Sequence, residues 1–256
     1  MPATPQSQKP SRGAAPMPGN FACAAAPQIQ RISLGSERRP LLVIDGLSAE
    51  PESLVEFAAS APPFRARGGD YYPGVRKPLP QAYAENLCET LDRVLREVFE
   101  LPPGARAQPL LCALSIATTP PQQLRPIQRL PHFDTSDPNQ LAVVHYLCPP
   151  QLGGTAFYRH RASGFEFIDS ERLHGYAAQL KHQVMASPPA PGYLDGDSAL
   201  FEQIACIEAR FNRALIYRGN QLHSGNIDPH CGLSAAPRTG RLTATSFIRY
   251  SVPGTP

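Results

Sequence analysis

The stretch LAVVHYLCPPQLGGTAFYRH, residues 141–160, predicts two β-strands joined by a Gly-Gly turn. Its first eight residues are apolar at nearly every position, as in a strand that is buried on both faces. Gly153 and Gly154 turn the chain into a second strand that begins at Thr155. Further strands are predicted at residues 110–118, 199–210, 213–217 and 241–250. Many short strands with Gly and Pro turns are typical of a β-sandwich or barrel.

The N-terminal part of the chain has a different pattern of elements. A short apolar strand at 41–45 is followed by a helix at about 48–61, and a second helix with one apolar face covers about 81–100. We therefore predict a mainly β fold with flanking helices. It consists of an N-terminal α/β cap, residues 41–107, on a double-stranded β-helix, residues 108–250, of the jelly-roll or cupin-like type.

Three further boundaries complete the predicted domain organisation. Residues 1–28 are rich in Pro, Ala, Ser and Gly without periodicity, which predicts a disordered tail. Residues 29–256 then form a single domain, for which the chain is long enough. A helix at about 170–186 interrupts the strands, so the insertion 162–193 is a candidate lid over a pocket.

Composition and missing motifs exclude several classes of function. A net charge of +3 without a basic, aromatic-rich run argues against nucleic-acid binding, and no apolar stretch approaches a membrane span. The six cysteines form no C-x-x-C pair, which fits free thiols in a reducing compartment and predicts a cytoplasmic protein. The sequence contains no G-x-S-x-G, Walker A, G-x-G-x-x-G or H-E-x-x-H motif. The oligomeric state is not predicted.

The triplet His132-Phe133-Asp134 is a candidate for metal binding. On an extended segment residues i and i+2 point the same way, so an imidazole and a carboxylate can meet one ion. A second histidine must come from elsewhere, and His223 follows the apolar strand 214–217. His230, in a loop, is the rival candidate. Two His and one carboxylate form the facial triad of non-haem Fe(II) oxygenases, which leaves coordination positions for other ligands.

A guanidinium is predicted to lie on the strand that ends the β-helix. In the segment Gly240-Arg241-Leu242-Thr243-Ala244-Thr245, residues 241, 243 and 245 alternate onto one face. The guanidinium of Arg241 can bind a carboxylate through two parallel hydrogen bonds. 2-Oxoglutarate has such a distal carboxylate, while its keto acid end can chelate the metal.

These pieces together resemble one branch of a known enzyme superfamily. Residues 41–250 are similar to the prolyl-4-hydroxylase-like 2-oxoglutarate/Fe(II) oxygenases, and the loop after Asp134 is similar to an uncharacterised bacterial subfamily. The motifs that carry the resemblance are 41–58, His132-Phe133-Asp134, Val144-His145-Tyr146-Leu147, Gly153-Gly154-Thr155, Arg213-Ala214-Leu215-Ile216-Tyr217, His223 and Gly240-Arg241-Leu242-Thr243.

The resemblance implies an activity and further site residues. It implies a dioxygenase in which His132, Asp134 and His223 hold Fe(II), with 2-oxoglutarate and O₂ as co-substrates. Tyr146 would bind the same distal carboxylate as Arg241, and Thr245 would lie near the metal-bound ligands. The implied reaction hydroxylates an amino acid, a peptidyl residue or a small metabolite, with release of succinate and CO₂.

Three residues are candidates for substrate contact, each beside a structural alternative. Tyr72 and Arg76 lie in the loop 70–76, which forms either a pocket wall or a packed Pro-Gly turn. His160 lies on the strand after the Gly-Gly turn and could touch substrate or stay at the rim. His145 faces away from Tyr146 on the same strand, so we expect it to be structural.

Two other functions remain open at this point. One is a cupin-like metal enzyme that does not use 2-oxoglutarate, for which Arg241 with Tyr146 would have no purpose. The other is a non-catalytic β-barrel that binds a ligand. It would leave inward-facing polar residues without a metal to satisfy them, which is costly.

Overall fold

Two antiparallel sheets form the framework of the protein, and a computed structural model describes residues 21–66, 71–228, 230 and 233–254. The strands are β1 Gln28–Leu34, β2 Arg39–Asp45, β3 Gly74–Pro78, β4 Arg106–Ala117, β5 Gln140–Tyr146, β6 Gly154–His160, β7 Phe201–Glu208, β8 Arg213–Arg218, β9 His223–Asn226 and β10 Leu242–Ser251. The helices are α1 Pro51–Ala59, α2 Gln81–Phe99 and α3 Ser170–Ala186. No helix in these ranges combines the length and hydropathy needed to cross a bilayer.

The strand order confirms the predicted jelly-roll class. The larger sheet has seven strands in the order β1-β2-β8-β5-β10-β4-β3, and the smaller has three in the order β7-β6-β9. The paired strands are antiparallel throughout. Since most neighbours in the larger sheet are far apart in sequence, the fold brings the ends of distant segments together between the two sheets.

Three apolar clusters hold the layers together. The first lies between the large sheet and the helices α1 and α2, where Leu54 and Leu87 pack with Ile216. The second lies between the two sheets and includes Tyr146 and Phe157. The third joins the smaller sheet to α3 through residues such as Tyr158, Tyr176 and Phe201. Burial of these side chains provides the main driving force for this packing.

The N-terminal segment is more tightly integrated than the predicted cap. Strands β1, β2 and β3 belong to the same sheet as the β-helix strands, so only α1 and α2 cover it from outside. The predicted tail is also too long, because Phe21 packs edge-on against Phe57 at 5.9 Å and Cys23 pairs with Ser48. Residues 1–20 and Asp70 lie outside the described residues.

His145 has the structural role expected from its position on β5. It is fully buried on the helix-covered face of the large sheet. Its Nε2 donates to Asn212 Oδ1 at 3.0 Å, and the Tyr83 hydroxyl donates to its Nδ1 at 3.0 Å. Burial lowers the pKa of His145 to about 4, with the Asn212 contact acting in the opposite direction. The imidazole is therefore neutral in the folded protein at pH 7.

We predict that acid destabilises the protein partly through His145. Below about pH 6.5 this histidine is protonated in the unfolded chain, whereas in the folded chain it stays neutral until the pH falls to about 4. The stabilisation is complete above pH 6.5 and is lost as the pH falls, by about 3 kcal/mol at pH 4. Urea unfolding at pH 4–7 should give a steeper pH dependence for the wild type than for His145→Gln. Parallel profiles for the two proteins would contradict this assignment.

Candidate metal centre

Backbone hydrogen bonds bring the His132-Phe133-Asp134 segment next to the start of β9. His132 N donates to the carbonyl of His223, and His223 N donates to the carbonyl of His132, both at 2.8 Å. Asp134 N donates to the carbonyl of Gly219 at 2.7 Å, just after β8 ends. Because the segment is extended, the side chains of residues 132 and 134 lie on the same side, facing that of His223.

The three side chains form a cluster that can hold one cation. Their ligand atoms all lie within 4.8 Å of one another. Asp134 Oδ1 is 3.7 Å from His132 Nε2, and Asp134 Oδ2 is 3.7 Å from His223 Nε2. Within the described ranges, His132, Asp134 and His223 form the one group with this geometry, and His230 is exposed and outside it. Such a donor set with open positions is characteristic of non-haem iron.

A backbone carbonyl sets the tautomer of His223. His223 Nδ1 lies 2.9 Å from the carbonyl of Gln221, to which it can only donate. Its Nε2 therefore keeps a lone pair that faces Asp134. The Gln221 side chain is itself anchored, because its Nε2 donates to the carbonyl of Glu166 at 2.8 Å. A second hydrogen bond that fixes the ring of a ligating histidine is typical of metal sites.

The electrostatics of the cluster also fit a cation. Burial lowers the pKa of His223 to about 4. The His132 side chain is 52% exposed, and its pKa is shifted in the same direction by the surrounding protein and by the neighbouring His223. Burial raises the pKa of Asp134 to about 6. At pH 7 the imidazoles are neutral and the carboxylate is charged. Among the described atoms Asp134 Oδ2 accepts no hydrogen bond, a costly state for a buried carboxylate unless a cation compensates it.

The cluster opens into a cavity of about 910 Å³. Most of its wall is aromatic or aliphatic, which is typical of a site for an organic ligand. The apolar lining includes Tyr71, Tyr72, Leu111, Ile127, Leu130, Phe133, Val144, Tyr176, Leu180, Tyr193, Tyr217 and Phe247. The polar lining includes the three cluster residues together with Arg76, Gln128, Thr155, Ser224, Arg241, Thr243 and Thr245.

Arg241 lies deep in the same cavity, as a candidate partner for a carboxylate. It is only 4% exposed, and its Nη2 donates to the carbonyl of Gly154 at 2.7 Å. Its Nε has no hydrogen-bond acceptor among the described atoms. Tyr146 is fully buried and does not itself line the cavity. Its ring lies 5.6 Å from the guanidinium carbon, and its hydroxyl is 2.5 Å from Oγ1 of Thr155, which does line the cavity. Thr245 lines the cavity with Arg241, as the strand alternation predicted.

The three substrate candidates have different positions. Tyr72 and Arg76 line the cavity, with the Arg76 guanidinium 4.6 Å from the centre of the Tyr72 ring. His160 does not line it, which corrects the predicted substrate contact. It is fully buried, with its Nδ1 2.8 Å from Ser163 Oγ and its Nε2 2.8 Å from Gln183 Oε1 on α3. Its role is to attach α3 to β6.

Sequence reasoning did not assign a role to Tyr217, although this residue lines the cavity beside the cluster. Its ring packs edge-on against His223 at 4.8 Å. A signal was available, because Tyr217 ends the apolar strand 213–217 that led to His223. Its alternation with Leu215 places it on the inner face of the large sheet.

Comparison with known proteins identifies a family without an assigned function. The family model described as "Family of unknown function (DUF6445)" matches residues 25–248. No curated protein matches the sequence.

The solved structures that resemble this chain in backbone arrangement have low sequence identity to it. HygX from Streptomyces hygroscopicus, determined with nickel and 2-oxoglutarate bound, is 14% identical, with 85% of this chain and 83% of that chain covered and a TM-score of 0.47. The non-heme alpha ketoglutarate dependent epimerase SnoN from nogalamycin biosynthesis is 10% identical, with 86% and 87% covered and a TM-score of 0.46. An N-substituted L-amino acid dioxygenase from Burkholderia ambifaria AMMD is 9% identical, with 88% and 94% covered and a TM-score of 0.37. TM-scores below 0.5 carry no conclusion about the chemistry of this chain.

We predict that Asp134→Asn removes metal binding while the fold persists. A neutral amide is a poor substitute for the charged ligand, and losing even an outer partner of a metal site costs about 10–100-fold in affinity. We therefore expect Ni(II) affinity, measured by calorimetry, to fall at least about a hundredfold. Asp137→Asn is the matched control, because Asp137 pairs with Arg249 at 3.0 Å outside the cluster. Equal Ni(II) affinity in the wild type and Asp134→Asn would exclude this centre.

Proposed function

We propose that this chain, which belongs to the DUF6445 family of unknown function, is an Fe(II)- and 2-oxoglutarate-dependent oxygenase. One observation carries the proposal. A His-Asp-His cluster and the buried guanidinium of Arg241 face the same cavity. The cluster suits a metal ion, and the guanidinium suits a carboxylate held at a distance from that ion. 2-Oxoglutarate joins a chelating keto acid to such a distal carboxylate.

Residues in the cavity wall, with Tyr146 behind it, would hold the two ends of the co-substrate. At one end His132, Asp134 and His223 would hold Fe(II) on one face, which leaves the opposite face for exchangeable ligands. At the other end Arg241 and Tyr146 would bind the distal carboxylate. When bound, Fe(II) with 2-oxoglutarate and O₂ supplies an oxidant for a substrate C–H bond, while 2-oxoglutarate is converted to succinate and CO₂.

The aromatic wall beyond the metal centre is the proposed substrate site. Tyr72 and Arg76 border it from the β3 side, and Tyr176 borders it from α3. The Tyr193 hydroxyl donates to the carbonyl of Thr119 at 2.7 Å, which ties the insertion 162–193 to the segment after β4. This wall would exclude water from the reacting centre, a condition for controlled oxidation. A small metabolite, an amino acid or a peptidyl side chain is the proposed substrate.

The two alternative functions have less support. In a cupin-like enzyme without 2-oxoglutarate, the buried Arg241 would have no anion to bind next to the metal. In a non-catalytic barrel, the cost of burying Asp134 Oδ2 without a hydrogen-bond donor would remain uncompensated. Both features find a partner when a metal and a dicarboxylate occupy the cavity together.

We predict that Arg241→Ala weakens 2-oxoglutarate binding but leaves metal binding unchanged. Truncating one partner of a buried, hydrogen-bonded charge pair costs about 2–4 kcal/mol, or about thirty- to a thousandfold in affinity. An anaerobic titration of the Fe(II) protein with 2-oxoglutarate measures this change through the metal-to-ligand charge-transfer band. Arg249→Ala is the control, since Arg249 is an exposed residue on the same strand. Unchanged 2-oxoglutarate affinity and succinate formation in Arg241→Ala would exclude the assigned role.

A further inference from the structure

Tyr217 is a buried phenol in the wall of the cavity, and the proposed reaction does not yet use it. The residue is 1% exposed and lines the cavity from β8. Its ring is fixed by two edge-on aromatic contacts, with His223 at 4.8 Å and with Phe157 at 5.1 Å. Such contacts on two sides hold the ring in one orientation. The hydroxyl group is therefore a positioned donor.

The strand register leaves room around this phenol. Tyr217 on β8 lies opposite Ala142 on β5, and Phe247 on β10 lies opposite the same alanine. Val144 and Tyr146 follow Ala142 on the same face of β5. A methyl group between two aromatic residues leaves space that a larger side chain would fill. The phenol thus shares one face of the sheet with Tyr146.

The electrostatic neighbours of the hydroxyl lie on both sides of the proposed co-substrate. Burial raises the pKa of Tyr217 well above its usual value, and the charge of Asp134 and the nearby Tyr146 raise it further, while Arg241 opposes them. The Tyr217 hydroxyl is thus within electrostatic reach of the metal ligand Asp134 and of the carboxylate-binding Arg241. By geometry, the Tyr217 ring contacts His223 at the metal end, and its strand position shares the sheet face of Tyr146.

Two side chains that can donate hydrogen bonds stand beside the metal ligands: Arg76, whose charge acts on His132 and Asp134, and Tyr217, whose ring packs on His223. Arg241 and Tyr146 serve the distal carboxylate in the proposed function. At the metal end His132, Asp134 and His223 are used as ligands, and their neighbours Phe133 and Val144 are apolar. Several hydroxyl residues line the cavity, Ser224 and Thr245 among them, and of those described Tyr217 is the one whose ring packs directly on a ligating imidazole.

Resting on the proposed function, we infer that Tyr217 donates a hydrogen bond to the metal-proximal carboxylate of bound 2-oxoglutarate. The hydroxyl would fix the orientation of the chelating end, as Arg241 fixes the distal end. With both carboxylates held, the co-substrate would bind in a single orientation. The same coordination position would then stay open for O₂. Tyr217 would then be a co-substrate ligand as well as a packing residue.

Two ligands separate the roles of the two ends. 2-Oxoglutarate has both ends, whereas oxalate offers a chelating carboxylate pair without the distal carboxylate. We expect Tyr217→Phe to weaken both ligands about ten- to a hundredfold, the cost of one hydrogen bond to a charged group. We expect Tyr146→Phe to weaken 2-oxoglutarate only. Calorimetry on the Ni(II)-loaded protein measures both ligands.

Matched variants control for a merely structural role. Tyr158→Phe removes another buried phenol, on β6, whose hydroxyl has no hydrogen-bond partner among the described atoms and which is absent from the cavity wall. It should leave the affinity for oxalate unchanged. Tyr217→Phe should keep the Ni(II) affinity and the Tm of the wild type. Thr245→Val tests the rival hydroxyl, and the inference requires a smaller loss of oxalate affinity in this variant than in Tyr217→Phe.

The outcomes separate this inference from the proposed function. Wild-type oxalate affinity in Tyr217→Phe would overturn the inference, as would a loss confined to Thr245→Val. A parallel loss of Ni(II) affinity and Tm in Tyr217→Phe would assign the residue to packing and also overturn it. A wild-type protein that binds Ni(II) but not 2-oxoglutarate would instead overturn the proposed function, together with the inference that rests on it.

Discussion

The reciprocal backbone hydrogen bonds between His132 and His223 are the constraint on which the site depends. These two 2.8 Å bonds join a loop segment to the first residue of β9. A further bond runs from Asp134 N to the Gly219 carbonyl, so the segment is held at both residue 132 and residue 134. It therefore cannot rotate away from β9. The sheet framework thereby supplies the ligand geometry before a metal binds. Little of the binding free energy of a metal would then be spent on ordering the ligands.

The second end of the site depends on the same framework through different strands. Tyr146 on β5 lies opposite Thr243 on β10, two residues after Arg241, and the guanidinium reaches across to the Gly154 carbonyl at the start of β6. The proposed carboxylate-binding groups and metal ligands are therefore tied to strands of a single sandwich. The separation of the two ends is thus fixed by the fold and not by a mobile loop.

The sequence was informative where local chemistry decides the structure. The Gly153-Gly154 turn was predictable because Gly153 has φ +95° and an added Cβ would lie 1.9 Å from the Asn226 carbonyl oxygen. Helix α3 has the predicted bounds, and it begins where Asp169 caps it by accepting a hydrogen bond from Arg172 N at 3.0 Å. The alternation of Arg241 and Thr245 likewise follows from strand geometry alone.

Features that depend on distant partners were missed. Strand β1 is mostly exposed, so it shows no apolar alternation, and it forms because β2 pairs with it along its full length. Strand β9 is short and polar, and its pairing with β6 is invisible in the local sequence. His160 was wrongly assigned to the substrate because Gln183, which occupies its Nε2, comes from a helix later in the chain.

The central claim is most directly tested by anomalous diffraction at the iron edge from crystals grown anaerobically with Fe(II) and 2-oxoglutarate. The account predicts one iron peak at bonding distance from His132 Nε2, Asp134 and His223 Nε2, with a dicarboxylate running from it to Arg241. Iron bound at other residues, or a ligand turned away from Arg241, would contradict it.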